Sequence, residues 1–183
     1  MLLTGLFPDI TSDPAIETAT DSLEVGRSGT IVAPVGIRPP LLAAVASRAA
    51  TPLVVLTATG RDAETLTNAL ASWIPGVAML PAWETLPHER LSPQVDTMAR
   101  RIAVLRRLVH PIAGDESAGP ISVLVVPIRA FLQPIISGLA DLEPVRVRTG
   151  DILDLTETTN RLAELGYERV DMVEGRGQMS VRG

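Results

Sequence analysis

Short apolar runs rich in β-branched residues alternate along this chain with stretches whose apolar positions recur every three or four residues. Unbroken apolar character or period two marks strands and period 3.6 marks helices, so the alternation predicts βαβ units on a mostly parallel sheet, an α/β fold. Strands are read at 29–34, 52–57, 77–80 and 121–126, the last continuous enough to be covered on both faces. Helices are read from Asp13 onward, with Asp13 as N-cap and Pro14 at the first position, and at 39–50, 62–73, 94–108 and 127–136. On helix 94–108 the stripe Met98, Ile102, Leu105 and Val109 is expected to pack on the sheet. These elements complete one lobe over residues 1–135. Beyond it the elements become short and charge-alternating: strand 144–148, helix 155–165, and strands 168–173 and 178–182 read as a hairpin. They predict a second, small α/β domain over 136–183, of a size that has to lean on something else.

Composition narrows what such a chain can do. With 183 residues, 46% of them apolar, a real core can be buried. No apolar run reaches the roughly twenty residues that cross a bilayer, so no membrane partner is expected. The start from Met1 to Phe7 has neither a basic flank nor a cleavage site, which makes it a poor signal peptide and places the chain in the cytoplasm. Absence of cysteine excludes disulfides, thiolate ligands and a cysteine nucleophile. Only His88 and His110 remain as imidazoles, neither with a spaced partner, and no metal site is expected.

All sixteen basic residues are arginine, and a working P-loop needs a lysine to reach the β and γ phosphates. The net charge is -5, yet residues 88–110 carry five Arg against two acids, so any surface meeting a polyanion lies along that helix. Arg106 and Arg107 also complement the helix C-terminal dipole. That leaves Arg100 and Arg101 as the candidate DNA contacts, although a solvated face without aromatic interleaving reads the same way.

The turn after the first expected strand is where an α/β lobe of this kind would hold a nucleotide. A phosphate cradle needs consecutive backbone N–H groups, a lysine and a hydroxyl. Here Pro34, Pro39 and Pro40 have no N–H to give, Gly36 is the only glycine, and Arg38 stands alone as a cation. Pro34, Gly36 and Arg38 thus mark a degenerate nucleotide turn. Glu84, Glu89 and Asp96 do not by spacing make a general acid–base pair, and no G-x-S-x-G elbow is present. No catalytic residue is assigned.

Two segments carry a family resemblance. Pro81-Ala-Trp-Glu-Thr-Leu-Pro-His-Glu-Arg-Leu-Ser-Pro93, running into the helix from Asp96, resembles the N-terminal module of the bacterial transcription-repair coupling factors. The run from Gly166 to Gly183 resembles the later part of that module, which is shared with the excision-repair protein UvrB. The resemblance implies a degenerate RecA-like lobe of the P-loop NTPase type followed by a UvrA-binding domain. It implies a non-catalytic recruiter of UvrA, autoinhibited in the parent by the parent's C-terminal domain. ATP and Mg then belong to the parent's motor domains, with no cofactor in this stretch, and RNA polymerase and DNA are met through other parts of the parent. It further implies that the chain is the N-terminal part of a longer protein. UvrB's long aromatic hairpin between the segments matching Trp83 and Asp96 is absent here, so strand clamping is expected to be lost.

Arg169 and Arg182 stand where the UvrB-like family uses arginine to bind UvrA, whereas Ser180 stands where UvrB has another arginine. Planar guanidinium donors suit bidentate carboxylate pairing, and Tyr167, the single tyrosine, is a candidate aromatic anchor. The competing reading makes Arg169, Arg176 and Arg182 solvated residues balanced by Glu168, Asp171 and Glu174. A DNA-binding or nucleotide-hydrolysing lobe of a helicase-like repair protein is the alternative for the whole.

Overall fold

A computed structural model describes residues 3–21, 28–85 and 94–182. In chain order these form α1 (Phe7–Thr11), α2 (Pro14–Asp21), α3 (Arg38–Arg48), β1 (Leu53–Thr57), α4 (Gly60–Leu70), β2 (Val77–Met79), α5 (Val95–Val109), β3 (Val123–Pro127), α6 (Ile128–Phe131), α7 (Leu155–Glu164), β4 (Glu168–Arg169) and β5 (Gln178–Met179). The first three strands make one parallel sheet in the order β1-β3-β2, with Val125 opposite Val55 on one side and Met79 on the other.

Strand β3 is buried at every position, which is why its sequence shows no alternation. Its side chains still alternate in space. Val123 and Val125 pack with Ala43, Ala46, Ala63, Leu70 and Ile74 under α3 and α4, while Leu124 and Val126 pack with Val104 and Ala130 under α5 and α6. Strand β3 is therefore covered on both faces, while Val54 and Leu56 on the edge strand β1 stay about half exposed, and each large aliphatic side chain fully buried there contributes roughly 1.5–3 kcal/mol. Helix starts follow their caps: Asp13 Oδ1 accepts from Ala15 N at 2.8 Å ahead of α2, Thr59 accepts from Asp62 N ahead of α4, and Asp154 accepts from Glu157 N ahead of α7. Among the described residues no helix is long and apolar enough to cross a membrane.

Several expected elements take other forms. Residues 28–34 form no strand, and Val32 is 95% exposed. β-branched residues make a strand only where an edge pairs them and a face covers them, and here neither is supplied. Residues 144–148 likewise form no strand, and the helix expected over 127–136 shortens to α6. The expected hairpin is a parallel pair: Glu168 N donates to Gly177 O and Val170 N to Met179 O. Gln178 Oε1 accepts from both Glu174 N and Gly175 N, closing the turn that brings the chain back in the same direction. On α5 the buried positions are Thr97, Arg101, Val104 and Leu105, while Met98 and Val109 are exposed. The buried stripe begins one residue earlier than the apolar pattern suggested.

Gly76 sets β2 beside β3. Its φ is +74°, its carbonyl accepts from Ser122 N at 2.8 Å, and a Cβ there would lie 2.8 Å from Pro120 O. A Gly76→Ala variant is expected to lose roughly 1–3 kcal/mol of unfolding free energy in a denaturant titration. Gly36→Ala, with nothing near its would-be Cβ, should stay within about 0.5 kcal/mol of the parent. Equal stability of the two variants would mean the Gly76 turn does not hold the register.

Candidate partner-binding site

Strands β4 and β5 and the residues that follow them wall an open groove of about 430 Å³ lined by Arg169, Val170, Asp171, Ser180, Val181 and Arg182. One backbone carbonyl organises it. Arg182 Nη2 donates to Asp171 O at 2.9 Å, and Ser180 Oγ donates to the same oxygen at 3.0 Å. Arg182 is thereby oriented while its side chain remains exposed, and Ser180 serves as a strut in place of a third cation. Arg169 is exposed and has no ion-pair partner among the described residues. Two planar cations against the single Asp171 carboxylate suit a partner's carboxylates or other oxyanions. Tyr167 is 40% exposed and lies just before β4, outside the groove lining.

Arg100 and Arg101, adjacent in sequence, have opposite fates. Arg100 remains on the surface, its Nε 2.7 Å from Asp96 Oδ2 one helical turn away. Arg101 is only 1% exposed, which corrects its reading as a DNA contact. Its Nη1 donates to Pro81 O at 2.6 Å, and the guanidinium carbon sits 4.5 Å from the centre of the Trp83 ring. Burial pulls the guanidinium pKa below its ordinary value, and its buried Nε has no hydrogen-bond partner among the described residues. A side chain so placed cannot reach a phosphate. The 3.6 period also connects positions 97, 101, 104 and 105, and a tryptophan upstream is the sequence signal for an arginine in that stripe.

The Trp83 segment is held from a second side. Gln133 Oε1 accepts from Trp83 N at 2.8 Å and Gln133 Nε2 donates to Trp83 O at 3.3 Å, a two-bond clasp that nothing in the sequence pattern signals. Arg129 Nη2 donates to Glu84 O at 3.0 Å. The Thr97 hydroxyl donates to the Glu84 carboxylate, and this bond above all holds that carboxyl below its ordinary pKa. Glu84 and Asp96 are therefore engaged separately, with Thr97 and with arginines. His88 and Glu89 lie outside the described residues.

At the turn from Pro34, Ile37 N donates to Pro34 O at 3.0 Å and the chain passes straight into α3. Pro39 and Pro40 fall in the first turn of that helix, removing two of the N–H groups a helix N-terminus offers to an anion. Pro34, Gly36 and Arg38 are all exposed. Among the described residues no cluster of three or more His, Asp or Glu is placed to hold a metal ion.

Because the folded Glu84 pKa is lowered, its contribution is present above the ordinary carboxylate value and is lost as pH falls through the folded value. Thr97→Ala removes the main cause and should move that loss to higher pH. Trp83 emission, followed during an acid titration in a Trp73→Phe background, reports it directly. Coincident titrations with and without Thr97 would refute the Glu84 tether.

Comparison with known proteins bears on the same region. A family model described as the UvrB interaction domain matches residues 145–183, which include the groove. The transcription-repair-coupling factor of Mycobacterium tuberculosis (strain CDC 1551 / Oshkosh) is 47% identical over 156 residues, 84% of this chain and 12% of that protein. Those of Escherichia coli (strain K12) and Bacillus subtilis (strain 168) are 27% and 26% identical, over 78% and 91% of this chain and 12% and 13% of their own lengths. The chain thus spans about an eighth of the relatives it matches. It resembles, over 84% of its length, a UvrB-like N-terminal module of the transcription-repair coupling factors.

Proposed function

We propose that this chain is a non-catalytic docking module of transcription-coupled repair that takes UvrA on the Arg169–Arg182 groove. The observation that carries the reading is the position of the groove: it falls inside the segment matching the UvrB interaction domain and presents two exposed guanidiniums. Tyr167, at the edge of the same unit, is an accessory aromatic contact in this reading. The lobe before it is a degenerate RecA-like scaffold whose turn at Pro34, Gly36 and Arg38 no longer grips phosphate. ATP and Mg serve the motor domains of the parent, which reaches RNA polymerase and DNA through other parts. In the resting parent its C-terminal domain covers the groove, and the whole acts in the cytoplasm. The DNA-binding alternative keeps only Arg100, since Arg101 is buried.

Charge reversal at both groove arginines, Arg169→Glu with Arg182→Glu, is expected to abolish capture of UvrA. Loss of hydrogen-bonded charge pairs at an interface costs about 2–5 kcal/mol, enough to remove a micromolar complex from a pull-down. The thermal melt should be unchanged, because both side chains are exposed. Retained capture would remove the groove from the interface. Calorimetric ATP binding by this chain would instead favour the nucleotide-hydrolysing alternative.

A further inference from the structure

Three consecutive residues in the first turn of α5 hold two separate parts of the molecule, the turn at 176–177 and the segment at Glu84. Val95 packs on Gly177, where φ is +80° and a Cβ would approach Val95 Cγ1 to 2.9 Å. Asp96 Oδ1 pairs with Arg176 Nη1 at 2.6 Å, while its Oδ2 takes Arg100. Thr97 holds Glu84. Arg176 and Gly177 immediately precede β5, which leads into the groove wall at Ser180 and Arg182. At the other end of the same helix, Arg106 Nη1 donates to Leu142 O at 3.1 Å and Nη2 lies 4.0 Å from Glu143. His110 Nε2 is 2.7 Å from Asp141 Oδ1, and the 3-10 turn Leu139–Asp141 packs along α5. These contacts seize the chain just before residue 145, where the matched domain begins.

We infer that α5 is a two-point mount for the 145–183 unit, with Arg176 as the positioning residue whose pairing with Asp96 fixes the attitude of the Arg169–Arg182 groove on the lobe. At 1.5 Å rise per residue the two attachments are roughly 20 Å apart, so together they block rotation that either alone would permit. The attachment near the helix N-terminus rests on one ion pair beside the Val95 contact, whereas the other adds a hydrogen bond from Arg106 to the Leu142 carbonyl and the packing of the 139–141 turn. The Asp96–Arg176 pair is solvent-exposed, at 70% for the Arg176 side chain and 36% for Asp96, and such pairs are weak and screened by salt. Once it opens, the unit is left hinged on 139–143. The mount rests on geometry alone, and only its consequence for UvrA rests on the function proposed above.

The cysteine-free sequence allows a direct test on this chain, with nitroxides at Asn68→Cys on α4 and Asn160→Cys on α7, both exposed positions. Double electron–electron resonance should give one narrow distance distribution for the parent. Arg176→Ala, Asp96→Asn and Gly177→Val should each broaden it, as should high salt in the parent. Arg176→Ala combined with Asp96→Asn should broaden it no further than either alone. Circular dichroism melts check folding, and should Gly177→Val unfold, the two polar variants decide. Distributions identical to the parent in Arg176→Ala and Asp96→Asn would overturn the mount. No UvrA enters the measurement, so its failure is distinct from failure of the groove assignment.

Discussion

A guanidinium that has left water must be held by its surroundings, and in this fold Arg101 is that group. Stripping an arginine of solvent is costly, and its Nε has no partner among the described residues, an unsatisfied buried donor being worth about 1–3 kcal/mol against folding. The offsets are the Pro81 carbonyl and the face of Trp83, a desolvated cation–π contact worth about 2 kcal/mol. Because those offsets come from residues about twenty positions upstream, α5 is properly packed only when the Trp83 segment is in place. The clasp of Gln133 on the Trp83 backbone extends that dependence to the chain just after α6. One buried charge thus ties together the loop after β2, the helix on one face of the sheet, and the segment leaving β3.

That arrangement explains how the small 145–183 unit is carried. Strands β4 and β5 are two residues each and enclose little core of their own, Met179 being the buried side chain between them. A unit of this size cannot fix its own orientation through a hydrophobic interior. Helix α5 supplies the frame instead, gripping the chain that enters the unit and the turn that precedes its groove. The turn that precedes the groove and the Trp83 segment are therefore both held by one helical turn, through the adjacent residues Asp96 and Thr97.

Much of the lobe was legible because its determinants are local. The unbroken apolar run of β3, the Asp13 cap and the parallel α/β order follow from periodicity and capping chemistry, and they recur in the structure. What sequence patterns missed depends on partners distant along the chain. Residues 28–34 have strand composition and no strand beside them, while Arg101 has the polarity of a surface residue and a tryptophan above it. The direction of β5 turns on Gln178 capping two backbone N–H groups, a bond invisible to alternation. In the candidate site Arg169 and Arg182 were placed by resemblance and physical suitability. The groove they share arises from parallel pairing in place of the hairpin that was expected to align them, and Tyr167 falls outside it.

Arg101 is a structural strut joining α5 to the Trp83 segment. Hydrogen–deuterium exchange of an Arg101→Met variant tests this role most directly, since methionine keeps much of the side chain's length and apolar stem while removing the charge and its donors. Faster exchange is expected at residues 82–85 and in the first turns of α5, with β3 as protected as in the unsubstituted chain. Unchanged exchange across 82–85 would contradict it.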